Sequence, residues 1–226
     1  MNAIEDLEPF ALAIEEGRPL VLLLGQSAWS TPARPDAVLV TALKRIGRFS
    51  DDAVASGFAA LLRDSLAADF YGWLAEIYDR QPAPKWIEPI TALSWNAVFT
   101  TSIDPTLTRV FRTHGREVEP VLTKDDNPVA PRNRRRLHVT YLFGRAGESP
   151  GDGAPPSNLQ ELRKRTALHA TSLLARTVET TSPIGVLVID GFTCGHDWLS
   201  TDALVGMLSA FQARQVFWFG WDPEAH

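Results

Sequence analysis

Hydroxyl groups and one carboxylate follow a short apolar run near the middle of the chain. The sequence TTSIDPTL covers Thr100–Leu107 and comes directly after the apolar residues Ala97–Phe99. A plain turn at the end of a strand would more often use Gly or Asn. Three hydroxyl groups and a carboxylate at such a place are typical of a small-molecule site, where a few polar groups orient the ligand. We therefore take Thr101, Ser102 and Asp104 as candidate binding residues.

Three further segments place small, hydroxyl-bearing or glycine residues directly after an apolar run. They are Gly25-Gln26-Ser27, Phe143-Gly144 and Gly191-Phe192-Thr193. Backbone amides and hydroxyl groups can hold phosphate groups, and glycine lets a ligand approach the backbone closely. The recurrence of this composition at four places indicates one composite binding site.

The elements that must position these segments alternate between strand and helix. The predicted strands are 20–24, 97–99, 137–144, 184–192 and 215–221. Segments with helical periodicity lie between them. Strands that are apolar on both faces are typical of a parallel sheet covered by helices on both sides. The pattern predicts an α/β fold with a doubly wound parallel sheet, in which ligands bind beyond the carboxyl ends of the strands.

The connections between these elements carry further expectations. A helix is predicted over Ile103–Arg112, with Asp104 near its N-cap and Pro105 in its first turn. Residues 113–136 are polar and are predicted to form a loop, and Gln81–Pro89 is predicted to interrupt the helices.

Taken in order, the four segments resemble the signatures of the SIR2 (sirtuin-like) family. LLLGQSAWS stands where the family has a strand ending in a Gly-Ala-Gly-x-Ser loop, and TTSIDP stands where it has Thr-Thr-Asn-x-Asp. YLFG stands where the family has Leu-His-Gly at a strand end, and VIDGFTCGHDW where it has a strand followed by a glycine loop. The likeness covers nearly the whole chain. It is closer to bacterial SIR2-like domains of anti-phage defence proteins than to deacetylase sirtuins.

The resemblance implies a single domain over residues 1–226, with a Rossmann-like core and a helical module at about residues 37–93. It implies that NAD or ADP-ribose binds in a cleft between core and module, in contact with the four segments. It also implies that the domain is the N-terminal part of a longer chain or a subunit of a complex, with a protein partner or further copies of itself.

Two positions depart from the family at the places where its chemistry occurs. Phe143 stands in the place of the catalytic histidine, and phenylalanine cannot accept a proton. Ser102 stands in the place of the asparagine that orients NAD or water, and it lacks an amide's paired donor and acceptor. We therefore expect a nucleotide-binding domain with lost or weakened catalysis, acting as a regulatory or scaffold module. The alternatives are an active NAD glycohydrolase with a displaced base, Asp104 or His196, and a ligand-free protein-interaction domain.

Each candidate also has an ordinary structural interpretation. The segment Gly25–Ser27 suits a simple strand-to-helix turn, and Asp104 suits a helix N-cap. A loop pair such as His196-Asp197 is more often solvated or capping than catalytic. His138 lies five residues before Phe143 on the same predicted strand and on its opposite face, too deep to replace the missing base.

Composition narrows the class of partner. The net charge of −5 gives no support for general nucleic-acid binding. We therefore expect contact with nucleic acid only through a partner protein or through the basic run Arg132–Arg136. The single cysteine, Cys194, excludes a four-cysteine zinc ribbon and an internal disulfide, which favours a cytoplasmic protein. The longest apolar run, Leu20–Leu24, is too short to cross a membrane, and no spacing of His, Cys and Asp suggests a metal site.

Overall fold

A computed structural model describes most of the chain. The described residues are 7–26, 36–82, 87–113, 115–123, 136–175, 185–192, 197–210 and 215–219. The strands are β1 (Leu20–Leu24), β2 (Trp95–Thr100), β3 (Glu117–Val121), β4 (Arg136–Tyr141), β5 (Val186–Asp190) and β6 (Gln215–Trp218). The helices are α1 (Glu8–Glu15), α2 (Ala37–Arg45), α3 (Asp51–Ala55), α4 (Phe70–Arg80), α5 (Ile87–Ala92), α6 (Thr106–Thr113), α7 (Leu159–Arg165) and α8 (Thr201–Ala210).

The strands form one six-stranded sheet in which every pair is parallel. Its order is β3-β4-β2-β1-β5-β6. In the sheet, β2, β4 and β3 lie on one side of β1, whereas the later strands β5 and β6 lie on its other side. The strand order therefore reverses at β1. Crevices at such a reversal, beyond the carboxyl ends of the strands, are where ligands bind in open α/β sheets.

Alternation along the strands divides the core into two layers. Leu20, Leu22 and Leu24 pack on one face with α1, α5 and α6, whereas Val21 and Leu23 pack on the other face with α2 and α4. All five side chains of β1 are buried. A strand covered on both faces explains the continuous apolar run, and the α/β fold with a parallel sheet is confirmed.

The helices between β1 and β2 begin and end at residues with clear capping roles. The Asp36 carboxylate accepts the backbone N–H groups of Val38 and Leu39 at the start of α2. The Ser50 hydroxyl likewise accepts the backbone N–H of Ala53 at the start of α3. A 3₁₀ helix, Gly57–Arg63, connects α3 to the chain before α4. Side-chain acceptors at these positions satisfy N–H groups that have no partner within the helix.

Several predicted boundaries were wrong. Residues 113–136 are not all loop, because Glu117–Val121 forms the edge strand β3, where Pro120 is tolerated. Helix α5 begins at Ile87, inside the predicted interruption. Strand β4 ends at Tyr141, three residues before the predicted glycine. No helix in the described part of the chain is long and apolar enough to cross a membrane.

Candidate functional site at the ends of β1, β2 and β5

The TTSIDP segment uses most of its polar side chains to build its own turn. The Thr100 hydroxyl accepts the Ser102 N–H at 2.9 Å, and the Ser102 hydroxyl accepts the Asp104 N–H at 3.2 Å. The Asp104 carboxylate then accepts the Thr106 N–H at 2.7 Å and the Thr106 hydroxyl at 2.8 Å. Each side chain bonds to the backbone two residues ahead, which is a turn-forming arrangement. Helix α6 consequently begins at Thr106 rather than at Ile103.

Thr101 differs from its neighbours because its side chain reaches another part of the chain. Its hydroxyl donates a hydrogen bond to the Asp197 carboxylate. The same carboxylate oxygen accepts the backbone N–H of Gln26 at 2.7 Å, and the Gln26 side-chain amide donates to the carbonyl of Thr101 at 3.2 Å. We call Gln26, Thr101 and Asp197 the strand-end cluster. It joins the ends of β1 and β2 to the segment that follows β5.

Asp197 is the residue of this cluster that the sequence interpretation missed. A carboxylate beside a histidine in a glycine-rich loop suggested a solvated pair, yet Asp197 is buried. The useful signal was the tryptophan that follows it, because Trp198 is also buried and anchors the segment. A buried carboxylate requires donors, and here Gln26 and Thr101 provide them.

Gly25 makes a close backbone contact between β1 and β5. Its N–H donates to the carbonyl of Asp190 at 2.8 Å. A Cβ atom at this position would lie 2.3 Å from the carbonyl oxygen of Gly191 and 2.5 Å from the Cα of Phe192. The glycine is therefore required by packing of the two strand ends, whatever ligand lies nearby.

The end of β4 is apolar, whereas the ends of β1 and β2 are polar. The Phe143 ring is buried and stands edge-on to Trp198, with centroids 5.7 Å apart, and Trp198 in turn meets Phe58 at 6.5 Å. Gly144 has φ +81°, and a Cβ there would lie 2.6 Å from the backbone of Ala154. The Phe143 side chain thus packs against Trp198 and supplies no proton acceptor.

Two buried carboxyl groups have strongly raised pKa values. Burial raises the pKa of Asp104 to about 7, with the Thr106 hydrogen bonds acting in the opposite direction and the Asp36 charge adding to the increase. Burial likewise raises the pKa of Asp36 to about 6. The Tyr141 hydroxyl donates to the Asp104 carbonyl at 3.0 Å, which links the ends of β2 and β4. Carboxyl groups of this kind can exchange protons near neutral pH.

Within the part of the chain that the structure describes, several buried polar atoms in this region have no hydrogen-bond partner. They include Oε1 of Gln26, Nε1 of Trp198 and Oδ2 of Asp36. A buried polar atom without a partner costs free energy, and such atoms are uncommon outside functional sites. Gln26 belongs to the strand-end cluster and Trp198 follows Asp197 directly in sequence, so two of these atoms belong to the same small region.

The remaining predicted residues lie elsewhere or outside the described part. Ser27, Thr193 and His196 fall outside the described residues, as do Cys194 and the run 132–135. Arg136 begins β4 and forms an ion pair with Glu117 of β3. His138 contacts Glu119 at 3.3 Å, on the side of β4 next to the edge strand and away from the cluster.

The described lining of a cavity of about 400 Å³ contains none of the predicted site residues. The cavity is bounded by the start of α4, the loop after β4 and helix α7, and Tyr71 and Arg165 line it. The Arg165 guanidinium donates to the carbonyls of Phe143 and Gly151 at 3.2 and 2.9 Å. Arg165 therefore connects the wall of this cavity to the end of β4.

The fold and the strand-end cluster define the chain as an α/β protein with a parallel six-stranded sheet and polar groups at its topological reversal. No protein-family model matches the chain, and no curated protein matches its sequence. Within the described residues, no group of three or more His, Cys, Asp or Glu side chains could hold a metal ion.

Proposed function

We propose that the chain is a SIR2-like domain that binds NAD or ADP-ribose and has lost or weakened NAD cleavage. Its role would be that of a regulatory or scaffold module in a bacterial anti-phage defence system, as the resemblance of its four segments implies. The observation that carries the proposal is the strand-end cluster, which sits at the reversal of strand order and keeps a buried, unpartnered Gln26 oxygen.

The chemistry of the cluster suits the ribose and amide groups of a dinucleotide. Gln26 Oε1 is an acceptor that a ligand hydroxyl or amide can satisfy, and Trp198 Nε1 is a donor. Phe143 supports the loss of cleavage, because the aromatic contact with Trp198 leaves no base at the position that carries it in active relatives.

The first experiment is isothermal titration with NAD and with ADP-ribose, followed by chromatography of the same samples for nicotinamide. We expect binding of at least one ligand without release of nicotinamide. Thr101→Val should weaken binding about tenfold, because it removes the hydroxyl that Asp197 holds. Thr41→Val is the matched control, since Thr41 is exposed on α2 and bonds only within its own helix. Absence of binding by either ligand would contradict the proposal and favour a ligand-free interaction domain.

One observation favours the alternative of an active NAD glycohydrolase. Asp104 has a pKa of about 7, which suits a general base at neutral pH. Both of its oxygens, however, accept hydrogen bonds from Thr106. Nicotinamide release that Asp104→Asn abolishes and Thr41→Val preserves would establish the alternative and refute loss of catalysis.

A further inference from the structure

The cavity beside α7 combines apolar surface with charges of both signs. Its volume of about 400 Å³ lies within the range of sites that bind small molecules. Leu66, Ala68 and Pro155 contribute apolar surface, and the charged part of the lining comes from the loop after β4 and from α7. Such a lining suits a ligand that is itself partly apolar and partly charged.

Hydrogen bonds between its walls hold the cavity in shape. The Tyr71 hydroxyl donates to the carbonyl of Pro156 at 2.5 Å, which joins α4 to the loop after β4. The Leu66 N–H donates to the carbonyl of Ser157 at 2.9 Å. The Arg165 guanidinium joins α7 to the same loop through the carbonyl of Gly151. Because these contacts already order the walls, a ligand bears little of the ordering cost of binding.

Two cations of α7 line this cavity without a carboxylate against them. Among the described residues, neither Lys164 nor Arg165 has a carboxylate oxygen within 4.0 Å. Arg165 is half-buried, burial lowers the pKa of its guanidinium, and both of its hydrogen bonds go to neutral carbonyl groups. A partly buried cation with only neutral partners favours an anion beside it. This part of the cavity therefore suits the carboxylate of a ligand.

Carboxylates of the same lining make a simple anion a poor ligand. Glu148 is neutralised by Arg145, which donates two hydrogen bonds to it. Asp152 and Glu161, in contrast, have no cationic group within 4.0 Å among the described residues. Both are close enough to Arg165 to oppose the lowering of its pKa. Their charges would repel an anion and attract an ammonium group.

We propose that this cavity binds a small zwitterion with an apolar side chain, an amino acid or a dipeptide. The ligand carboxylate lies beside Lys164 and Arg165, and its ammonium group lies beside Asp152 and Glu161. Its side chain packs on the apolar surface. Two positive and two negative groups of the lining are thereby matched, which neither an anion nor a cation alone achieves. The proposal does not rest on nucleotide binding, because the described lining contains none of the residues assigned to the nucleotide.

The test is isothermal titration of the 226-residue chain with L-leucine and with leucyl-leucine. We expect saturable binding of at least one of them at millimolar concentration or below. The N-acetylated form of that ligand lacks the ammonium group, and its C-terminal amide lacks the carboxylate. Each blocked form should bind about fivefold more weakly, the effect of losing one exposed ion pair. Equal binding of either blocked form would overturn the proposal, because the cavity would then recognise only one charge.

Two substitutions on α7 locate the binding. Lys164→Met should weaken it about fivefold without affecting the fold, since Lys164 is exposed. Arg163→Met is the matched control, because Arg163 is an exposed cation of the same helix and is not part of the described lining, and it should leave binding unchanged. Thermal unfolding of both variants checks that they fold. Absence of saturable binding by both probes, or equal weakening by the two substitutions, would overturn the proposal.

Discussion

The carboxyl ends of β1 and β4 lie on the same side of the parallel sheet, but different kinds of contact stabilise them. Beyond β1, the contacts are hydrogen bonds that converge on the buried Asp197 carboxylate. Beyond β4, the contact is between the rings of Phe143 and Trp198. Among the described residues, the first region has buried polar atoms without hydrogen-bond partners. The second region has an apolar side chain at the position where the resemblance implies a base.

This difference can be expressed as a free-energy cost. A buried polar atom without a partner costs about 1–3 kcal/mol, and an apolar side chain of similar shape avoids that cost. The chain has an apolar residue at Phe143 but keeps Gln26 and Asp197 in the neighbouring region. The proposed function expects this contrast of a site that binds a ligand without transferring a proton, and two sets of substitutions test the two regions.

The largest expected effect comes from Gly25→Ala, which alters the backbone contact under the strand-end cluster. The added Cβ would lie 2.3 Å from the Gly191 carbonyl oxygen, and no flexible side chain is there to move aside. We expect the free energy of unfolding to fall by about 3 kcal/mol, the upper end of the usual cost of overpacking, because the contacted atoms are backbone. Urea unfolding followed by circular dichroism measures the change.

Gly72→Ala is the control for that substitution. Gly72 lies within α4, and nothing stands within 4 Å of the place that its Cβ would take. Alanine should therefore stabilise the protein by about 0.5–1 kcal/mol through helix propensity. Equal destabilisation by both substitutions would show that the close contact at Gly25 is not what limits stability.

The next largest effect tests the hydrogen bonds of the polar region. Asp197→Ala removes the acceptor for the Gln26 N–H and the Thr101 hydroxyl, and leaves both donors buried. We expect a loss of about 2–3 kcal/mol of unfolding free energy. Asp197→Asn keeps an acceptor oxygen and should lose less than half as much. If both variants were equally unstable, the role of Asp197 would be its charge and not its hydrogen bonds.

Much of the sheet could be predicted from sequence because its strands are buried on both faces. Uninterrupted runs such as Leu20–Leu24 and Val186–Asp190 have no competing interpretation as exposed helices. Strand β3 was missed because an edge strand carries Glu117, Glu119 and Pro120, which are typical of loops. Its identity as a strand comes from pairing with β4, a contact that local sequence does not encode.

The candidate site was predictable only where a residue acts within its own segment. Asp104 was expected near the start of a helix, and its carboxylate does accept the Thr106 N–H. The bond between Thr101 and Asp197 joins residues 96 positions apart, so no sequence spacing reveals it. Likewise, Gly25 suggested close approach of a ligand, but the group that approaches it is the backbone of Gly191 and Phe192.

The smallest effect, measured over a window of two pH units, is expected at the boundary between the two regions. There the Asp104 carboxylate bonds to Thr106 and the Asp104 carbonyl accepts the Tyr141 hydroxyl. Burial raises the pKa of Asp104 to about 7 in the folded protein, from an ordinary value of 3.8. The unfolded chain thus releases this proton more readily. Its stabilising contribution is complete below pH 4 and is lost as the pH rises towards 7, by about 1.4 kcal/mol per pH unit.

Asp104→Asn isolates this contribution, because the amide keeps the acceptor for the Thr106 N–H and cannot ionise. Between pH 6 and pH 8 the wild-type unfolding free energy should fall by about 1.4 kcal/mol more than that of the variant. Other groups titrate in both proteins, so subtracting one urea-unfolding series from the other removes them. Asp36 has a pKa of about 6, so most of its pH-dependent contribution to the unfolding free energy is already lost when the pH reaches 6. Parallel wild-type and variant profiles across pH 6–8 would mean that Asp104 is already ionised in the fold. The polar region would then extend to the end of β4, and the contrast between the two strand ends would be smaller than the geometry indicates.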